Sequence, residues 1–275
     1  MPSSKSVREV QVRSYTGQQV SKTDLLTVEE PLEIQLCFED QVRTVAITMR
    51  TPGQDVELAA GFLFSEGLLS GPEQILRIEH FTPSGAIPTE NTLRVTLSTP
   101  LPDFSGLERH FFTSSACGVC GRNSFENLGL RTGPVLSEVQ FTPEQILALL
   151  PQMRQAQTTF RLTGGIHASA LFDPQGKLLD LMEDVGRHNA LDKLLGKPFL
   201  AGRLPAHDHL LLTSSRLSFE LVQKTITAGI PVLCGLSAPS SLAVELAEAF
   251  NVTLIGFLRE GSFNVYSGFD RLEEV

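Results

Sequence analysis

The sequence predicts an α/β protein in which a small α+β unit precedes a larger unit built on parallel strands. Two observations predict it. In the last third, short apolar strands alternate with segments whose apolar residues fall at helical spacing, and connections this short make the strands parallel with right-handed crossovers. In the first hundred residues, four strand-like segments surround one helical segment. The expected division is residues 1–110 for the small unit and 111–275 for the larger one.

The first unit reads β-β-α-β-β. Glu33 to Glu39 and Arg43 to Met49 form paired strands around Asp40-Gln41, and Asp55 to Leu69 carries Val56, Ala59, Ala60, Leu63 and Phe64 at helical spacing. Ile75 to Phe81 and Thr92 to Ser98 supply two more strands, and Pro100-Leu-Pro102 closes the unit. A polar, serine-rich stretch from Thr113 to Ser124 follows. Thr142-Pro-Glu-Gln145 then marks a helix start, with an N-cap, a proline in the first turn and a Gln three residues on. Ala168 to Phe172 is an apolar strand preceded by His167.

The closing segments are the most regular. His209 to Thr213, Ile230 to Leu236 and Val252 to Leu258 are strands; Arg216 to Ala228 and Ser240 to Phe250 are helices between them. Strands that are apolar on both sides belong to a sheet covered on both faces. Ligands of open α/β sheets gather beyond the carboxyl ends of the strands. Here those ends are Ser214-Ser215-Arg216, Ser237 to Ser241 and Arg259-Glu260-Gly261-Ser262. They bring hydroxyls, two arginines and helix N-terminal amides, a set that favours phosphate; the same serines can equally serve as plain helix caps.

Bulk properties narrow the function. The chain has 275 residues, 41% hydrophobic, with a net charge of −9, which suits a globular protein and gives no basic stripe for duplex nucleic acid. No run of 18 apolar residues exists, so no membrane span is expected. The polar Met1 to Val10 lacks the apolar core of a secretory signal, and a cytoplasmic protein is expected. Of four cysteines, Cys37 and Cys234 sit in apolar runs and read as buried strand residues.

Cys117 and Cys120 form a close pair in Ala116-Cys-Gly-Val-Cys-Gly121, with Arg122 beside it. Cys-X-X-Cys spacing lowers a thiol pKa, and the thiolate is the nucleophile. Zinc normally takes two such pairs, and one is present. A thioredoxin-like dithiol, a structural loop and nucleophilic sulfur chemistry stay open. A second group, His167, Glu183, Asp184 and His188, holds candidate metal ligands or acid–base groups; alternatively Asp184 caps the helix that carries His188. His207-Asp-His209 offers a further set of metal-ligand types, but beside a proline turn it reads rather as a solvated loop.

Taken together, Cys-Gly-Val-Cys-Gly, Thr163-Gly-Gly-Ile-His167, Glu183-Asp-Val-Gly-Arg-His-Asn-Ala-Leu-Asp-Lys193, Ser214-Ser-Arg-Leu-Ser-Phe-Glu-Leu-Val-Gln-Lys224 and Ser241-Leu-Ala-Val-Glu-Leu-Ala-Glu248 occur in order. This series resembles the FdhD family, sulfurtransferases accessory to formate dehydrogenase. The resemblance is densest from Ser114 to Tyr266.

The resemblance implies a cytidine deaminase-like three-layer α/β/α fold for the larger unit. The deaminase zinc constellation is absent, because the Cys pair precedes His167 and His167 is followed by Ala-Ser, so the fold carries over and the deaminase reaction does not. It further implies that a cysteine desulfurase hands persulfide sulfur to Cys117 and that the sulfur passes to the molybdenum cofactor, as bis-molybdopterin guanine dinucleotide, for formate dehydrogenase. Cys120 is a companion whose role in the transfer is open. The implied cofactor segment is Phe257, Leu258, Arg259, Glu260, Gly261 and Ser262, which meets the third carboxyl-end loop above; Ser214, Ser215 and Arg216 join it. A homodimer without structural metal, nucleic acid or membrane is the corresponding expectation. The competing reading is a chaperone that holds the cofactor without covalent sulfur transfer.

Overall fold

The computed structural model describes residues 5–15, 17–82, 89–102 and 133–273. The expected boundary at 110/111 and both Cys117 and Cys120 lie outside the described residues. The described chain is a mixed α/β protein, as expected, with three sheets rather than two.

The extra sheet is an antiparallel ribbon of β1 (Val7–Tyr15) and β2 (Gln19–Thr27). It is tied to the rest of the chain through Thr27, whose hydroxyl lies 2.8 Å from that of Thr163.

The small unit is β3 (Glu30–Phe38), β4 (Gln41–Arg50), α1 (Asp55–Ser65), β5 (Ile75–His80) and β6 (Thr92–Leu97), with sheet order β4-β3-β6-β5. β3 and β6 are parallel, so the chain must cross over between them, and α1 lies in that crossover. Leu32, Ile34 and Leu36 alternate with less buried neighbours along β3, and Leu93, Val95 and Leu97 do the same along β6. That period-2 pattern puts one apolar face against α1.

The larger unit contains α2 (Pro143–Ala156), α3 (Thr158–Thr163), β7 (His167–Phe172), β8 (Leu178–Asp184), α4 (Arg187–Leu200), β9 (Leu210–Thr213), α5 (Phe219–Thr227), β10 (Val232–Gly235), α6 (Ser241–Ala249), β11 (Thr253–Gly256) and β12 (Asn264–Ser267). The sheet order is β12-β11-β10-β9-β7-β8, with β9, β10 and β11 parallel and β7 antiparallel to both of its neighbours. Alternate residues of the central strands enter two cores. Leu211, Leu233 and Leu254 join α4, α5 and α6, whereas Leu210, Leu212, Val232 and Ile255 join α2. The α2 start follows the sequence: Thr142 Oγ1 accepts from Gln145 N at 3.2 Å and Gln145 Oε1 accepts from Thr142 N at 2.8 Å, a reciprocal cap of the kind whose loss costs about 1 kcal/mol.

The two units share one core. Leu32, Ile34 and Leu93 of the small sheet pack in the same cluster as Leu194, Leu211 and Leu254. At its centre α1 crosses α4 at backbone contact. A Cβ on Gly61 would lie 1.9 Å from Asp192 O, and one on Gly196 would lie 1.9 Å from Glu57 O. The crossing is flanked by buried charges. Lys224 Nζ contacts Asp192 Oδ1 at 2.9 Å, Ser65 Oγ at 2.7 Å and Glu66 Oε1 at 2.9 Å. Arg50 is fully buried and bonds Asp55 through both Nε (3.0 Å) and Nη2 (3.1 Å).

Three local expectations are corrected. Asp184 does not cap α4, because β8 runs through it and turns its side chain inward; Gly186 is the N-cap, with no side-chain cap. The helix expected from Arg216 begins at Phe219, since Leu217 is held extended by bridging to Pro239. Cys234 is buried but Cys37 is half-buried, at the end of β3. Burial pushes the Cys234 thiol far up, so it is unreactive.

Candidate functional site at the carboxyl edge of the larger sheet

The strand directions bring five chain segments to one edge. β9, β10 and β11 end there, and β8, which runs with them, ends there too at Asp184. β7, running oppositely, begins there at His167. The three carboxyl-end loops are stitched together by backbone bonds. Leu236 N donates to Thr213 O (3.2 Å), Ser240 N to Leu217 O (3.0 Å), Leu217 N to Ala238 O (3.2 Å) and Leu258 N to Gly235 O (3.1 Å). Such a surface is rigid before any ligand arrives.

The third loop is closed by Arg259 N donating to Ser262 O at 2.8 Å. Phe257 enters it with φ of 53° and is 40% exposed. A left-handed aromatic residue is backbone strain of the sort that surrounding structure must hold in place. Arg259, Glu260, Gly261 and Ser262 are exposed, while Leu258 is buried in the α2-side core. Arg259 Nη1 donates to Leu236 O at 2.5 Å and Leu258 O at 3.0 Å, which fixes the guanidinium across two loops. Glu260 is drawn to Arg154 of α2 at 2.5 Å.

In the first loop only Arg216 is exposed. The hydroxyl of buried Ser215 donates to Arg216 O at 2.9 Å. Ser214 Oγ accepts from Ala168 N at 3.0 Å and lies 3.5 Å from His167 Nδ1. Both hydroxyls are therefore engaged within the protein, and the outward-facing groups of this loop are Arg216 and backbone.

The Glu183 to Lys193 motif resolves into structural and outward-facing members. Glu183 accepts from the N–H groups of Thr158, Thr159 and Phe160 at 3.1, 2.8 and 2.8 Å, which caps α3. Asp184 accepts from Thr51 N (3.0 Å), Gly186 N (2.8 Å) and Asn189 Nδ2 (3.2 Å) and pairs with Lys193 Nζ at 2.7 Å. Both carboxylates are filled. Among the described residues no group of three or more His, Cys, Asp or Glu is placed to hold a metal.

His167, Arg187 and His188 remain at the edge, each half-buried. Burial of the His167 ring pulls its pKa down and Arg187 adds to the shift, with Asp184 opposing. His188 is pulled to about 4 by burial, then by the charges of Arg187 and Lys224, with Glu220 and Glu66 opposing. Both rings are neutral at neutral pH. Composition and spacing do not single out Arg187; its position between two candidate histidines at a strand end is the signal that could have done so.

The family model described as FdhD/NarQ family matches residues 27–273. The chain belongs to the FdhD/NarQ family. Two curated relatives, both named sulfur carrier protein FdhD, illustrate the similarity. That of Streptomyces avermitilis is 44% identical over 269 residues, covering 95% of this chain and 93% of the relative. That of Saccharolobus solfataricus is 42% identical, covering 95% and 96%. A solved structure described as a formate dehydrogenase accessory protein, from Desulfotalea psychrophila, superposes with a TM-score of 0.73 at 25% identity, covering 96% of this chain and 99% of that one.

Other sites are remote from this edge. His207 lies at the opposite edge, beside a cavity of about 360 Å³ lined by Phe64, Phe199, Leu204 and Ile226. His209 Nδ1 is bonded to Asp208 at 2.6 Å. Among the described residues no helix is long and apolar enough to cross a membrane.

Proposed function

We propose that the protein is a sulfur carrier that loads a persulfide on Cys117 and delivers the outer sulfur to a molybdenum cofactor seated at the carboxyl edge. The observation that carries the reading is the family membership, with relatives named as sulfur carriers, in a chain that contains the Cys117-Gly-Val-Cys120 pair.

In the first step the Cys117 thiolate attacks the terminal sulfur of a cysteine desulfurase persulfide. The desulfurase S–S bond breaks, its thiolate leaves, and a new S–S bond forms on Cys117, following the displacement logic of thiol–disulfide exchange. In the second step the Cys120 thiolate attacks Cys117 Sγ; the bond to the outer sulfur breaks, a Cys117–Cys120 disulfide forms, and the outer sulfur leaves as sulfide for the cofactor, which is the substrate of this reaction. Bis-molybdopterin guanine dinucleotide carries phosphates, and the edge offers Arg216, Arg259 and the N-termini of α5 and α6 to receive them. Phe257 to Ser262 and Ser214 to Arg216 are the segments assigned to it, Ser214 and Ser215 contributing through the backbone. Formate dehydrogenase is the acceptor of the sulfurated cofactor.

The same reading includes a cytidine deaminase-like fold for residues 111–275, a homodimer, and work in the cytoplasm. Covering of the six-stranded sheet by α2 on one face and by α4, α5 and α6 on the other supports the fold assignment.

The test is intact mass after incubation with an active cysteine desulfurase, cysteine and pyridoxal phosphate. Wild type and Cys120→Ala gain one sulfur that reduction removes; Cys117→Ala gains none. Absence of any gain in the wild type would replace this reading with that of a cofactor chaperone.

A further inference from the structure

Arg187 lacks a direct partner among the described residues. It lies at the first position of α4, half-buried, with its Nε enclosed and unbonded, and no hydrogen bond or ion pair from a described residue reaches its guanidinium; Glu220 feels its charge from beyond ion-pair distance. Arg50 is matched by Asp55, Lys193 by Asp184 and Lys224 by Asp192, while buried Arg271, far from this edge, bonds the hydroxyl of Thr253 at 3.3 Å. A partly desolvated guanidinium left unpaired is costly to keep, and its fork is shaped for an oxyanion.

The neighbours of Arg187 match that requirement. His188 Nε2 is also enclosed and unbonded. Glu220 is the nearest carboxylate to His188, with its Oε2 3.8 Å from Nε2. On the other side, Ser214 holds His167. Its hydroxyl accepts from Ala168 N at 3.0 Å and lies 3.5 Å from His167 Nδ1, where the direction depends on the ring tautomer. With the hydroxyl as donor, the neutral ring carries its proton on Nε2. The α4 N-terminus adds amides that no side chain caps.

We infer that Arg187, with His167 and His188 as flanking hydrogen-bonding groups, is the seat of an oxyanion of the phosphate class. The inference rests on the carboxyl edge being the ligand site, and Ser214 acts in it as a positioning residue for His167. A phosphate presented alone and a diphosphate that is part of a larger ligand share this chemistry. Inorganic phosphate and inorganic pyrophosphate separate them: the second binds more tightly if the seat continues into the Arg216 and Arg259 loops.

Titration of each anion into the wild-type protein, followed by calorimetry and by the imidazole nitrogen resonances, tests the inference. Saturable binding is expected, with the His167 and His188 pKa values moving upward as the anion arrives. Arg187→Gln weakens binding by at least about tenfold, the loss of one charge-assisted hydrogen bond. Arg187→Lys, which keeps the charge and lowers the risk of misfolding, recovers part of it. Ser214→Ala leaves binding closer to wild type but removes the Nε2–H signature of His167. No saturable binding in the wild type, unmoved histidine resonances, or equal affinity in Arg187→Gln each overturns it. The probes carry no sulfur, so this result and persulfide loading at Cys117 fail independently.

Discussion

Replacing Gly196 by Ala isolates the contact that joins the two units. The new Cβ would lie 1.9 Å from Glu57 O and 2.7 Å from Glu57 C. Clearing 3.0 Å, below which real Cβ contacts essentially do not occur, needs a shift of about 1.1 Å between α1 and α4. Both near atoms are backbone, so no side chain can swing away. A shift of that size would stretch Lys193 Nζ to Thr51 O from 2.8 Å and Lys224 Nζ to Ser65 Oγ from 2.7 Å beyond hydrogen-bonding range. Overpacking alone costs about 1–3 kcal/mol, and each lost bond to a charged group about 1.5–3 kcal/mol. Against this, Ala is about 1 kcal/mol better than Gly inside a helix. The expected net loss is about 3–8 kcal/mol, or about 5–15 °C in melting temperature for a chain of this length. Urea unfolding followed by circular dichroism measures it. A stability gain near the helix-propensity value would show that the helices separate without penalty and would refute the close-contact argument.

Lys193→Met removes the cation from buried Asp184 while keeping the side-chain length, and a loss of about 3–5 kcal/mol is expected in the same urea experiment. His188 supplies a pH dependence of opposite origin. Its pKa falls from 6.5 to about 4 on folding, so between those values the unfolded chain binds more protons and stability rises with pH. His188→Gln therefore flattens the stability profile over that window, which unfolding curves at a series of pH values will show; an unchanged slope would place the titration elsewhere.

The parts that were legible in the sequence are those where local pattern and tertiary demand agree. The three parallel strands are buried on both faces, so their apolar runs stand out, and the Thr142 cap is written in four consecutive residues. The β1–β2 ribbon was not legible because most of its residues are exposed, leaving no buried face to impose a period. Element ends were shifted by contacts distant in sequence, as at Leu217, held extended by Pro239. Within the site, the carboxyl-edge loops follow from strand order alone. The division of the Glu183 to Lys193 motif could not be read: Glu183 and Asp184 look as reactive in sequence as His188, and only their partners on α3 and at Thr51 reveal them as fastenings.

The four contacts of Asp184 reach Thr51, Gly186, Asn189 and Lys193, and Thr51 comes from the small unit. One carboxylate thus sets the start of α4, which bears Arg187 and His188, by reference to the other half of the molecule. A chimera that joins the first half of one family member to the second half of another is expected to keep this edge only when the backbone at position 51 still meets the Asp184 carboxylate and Lys193.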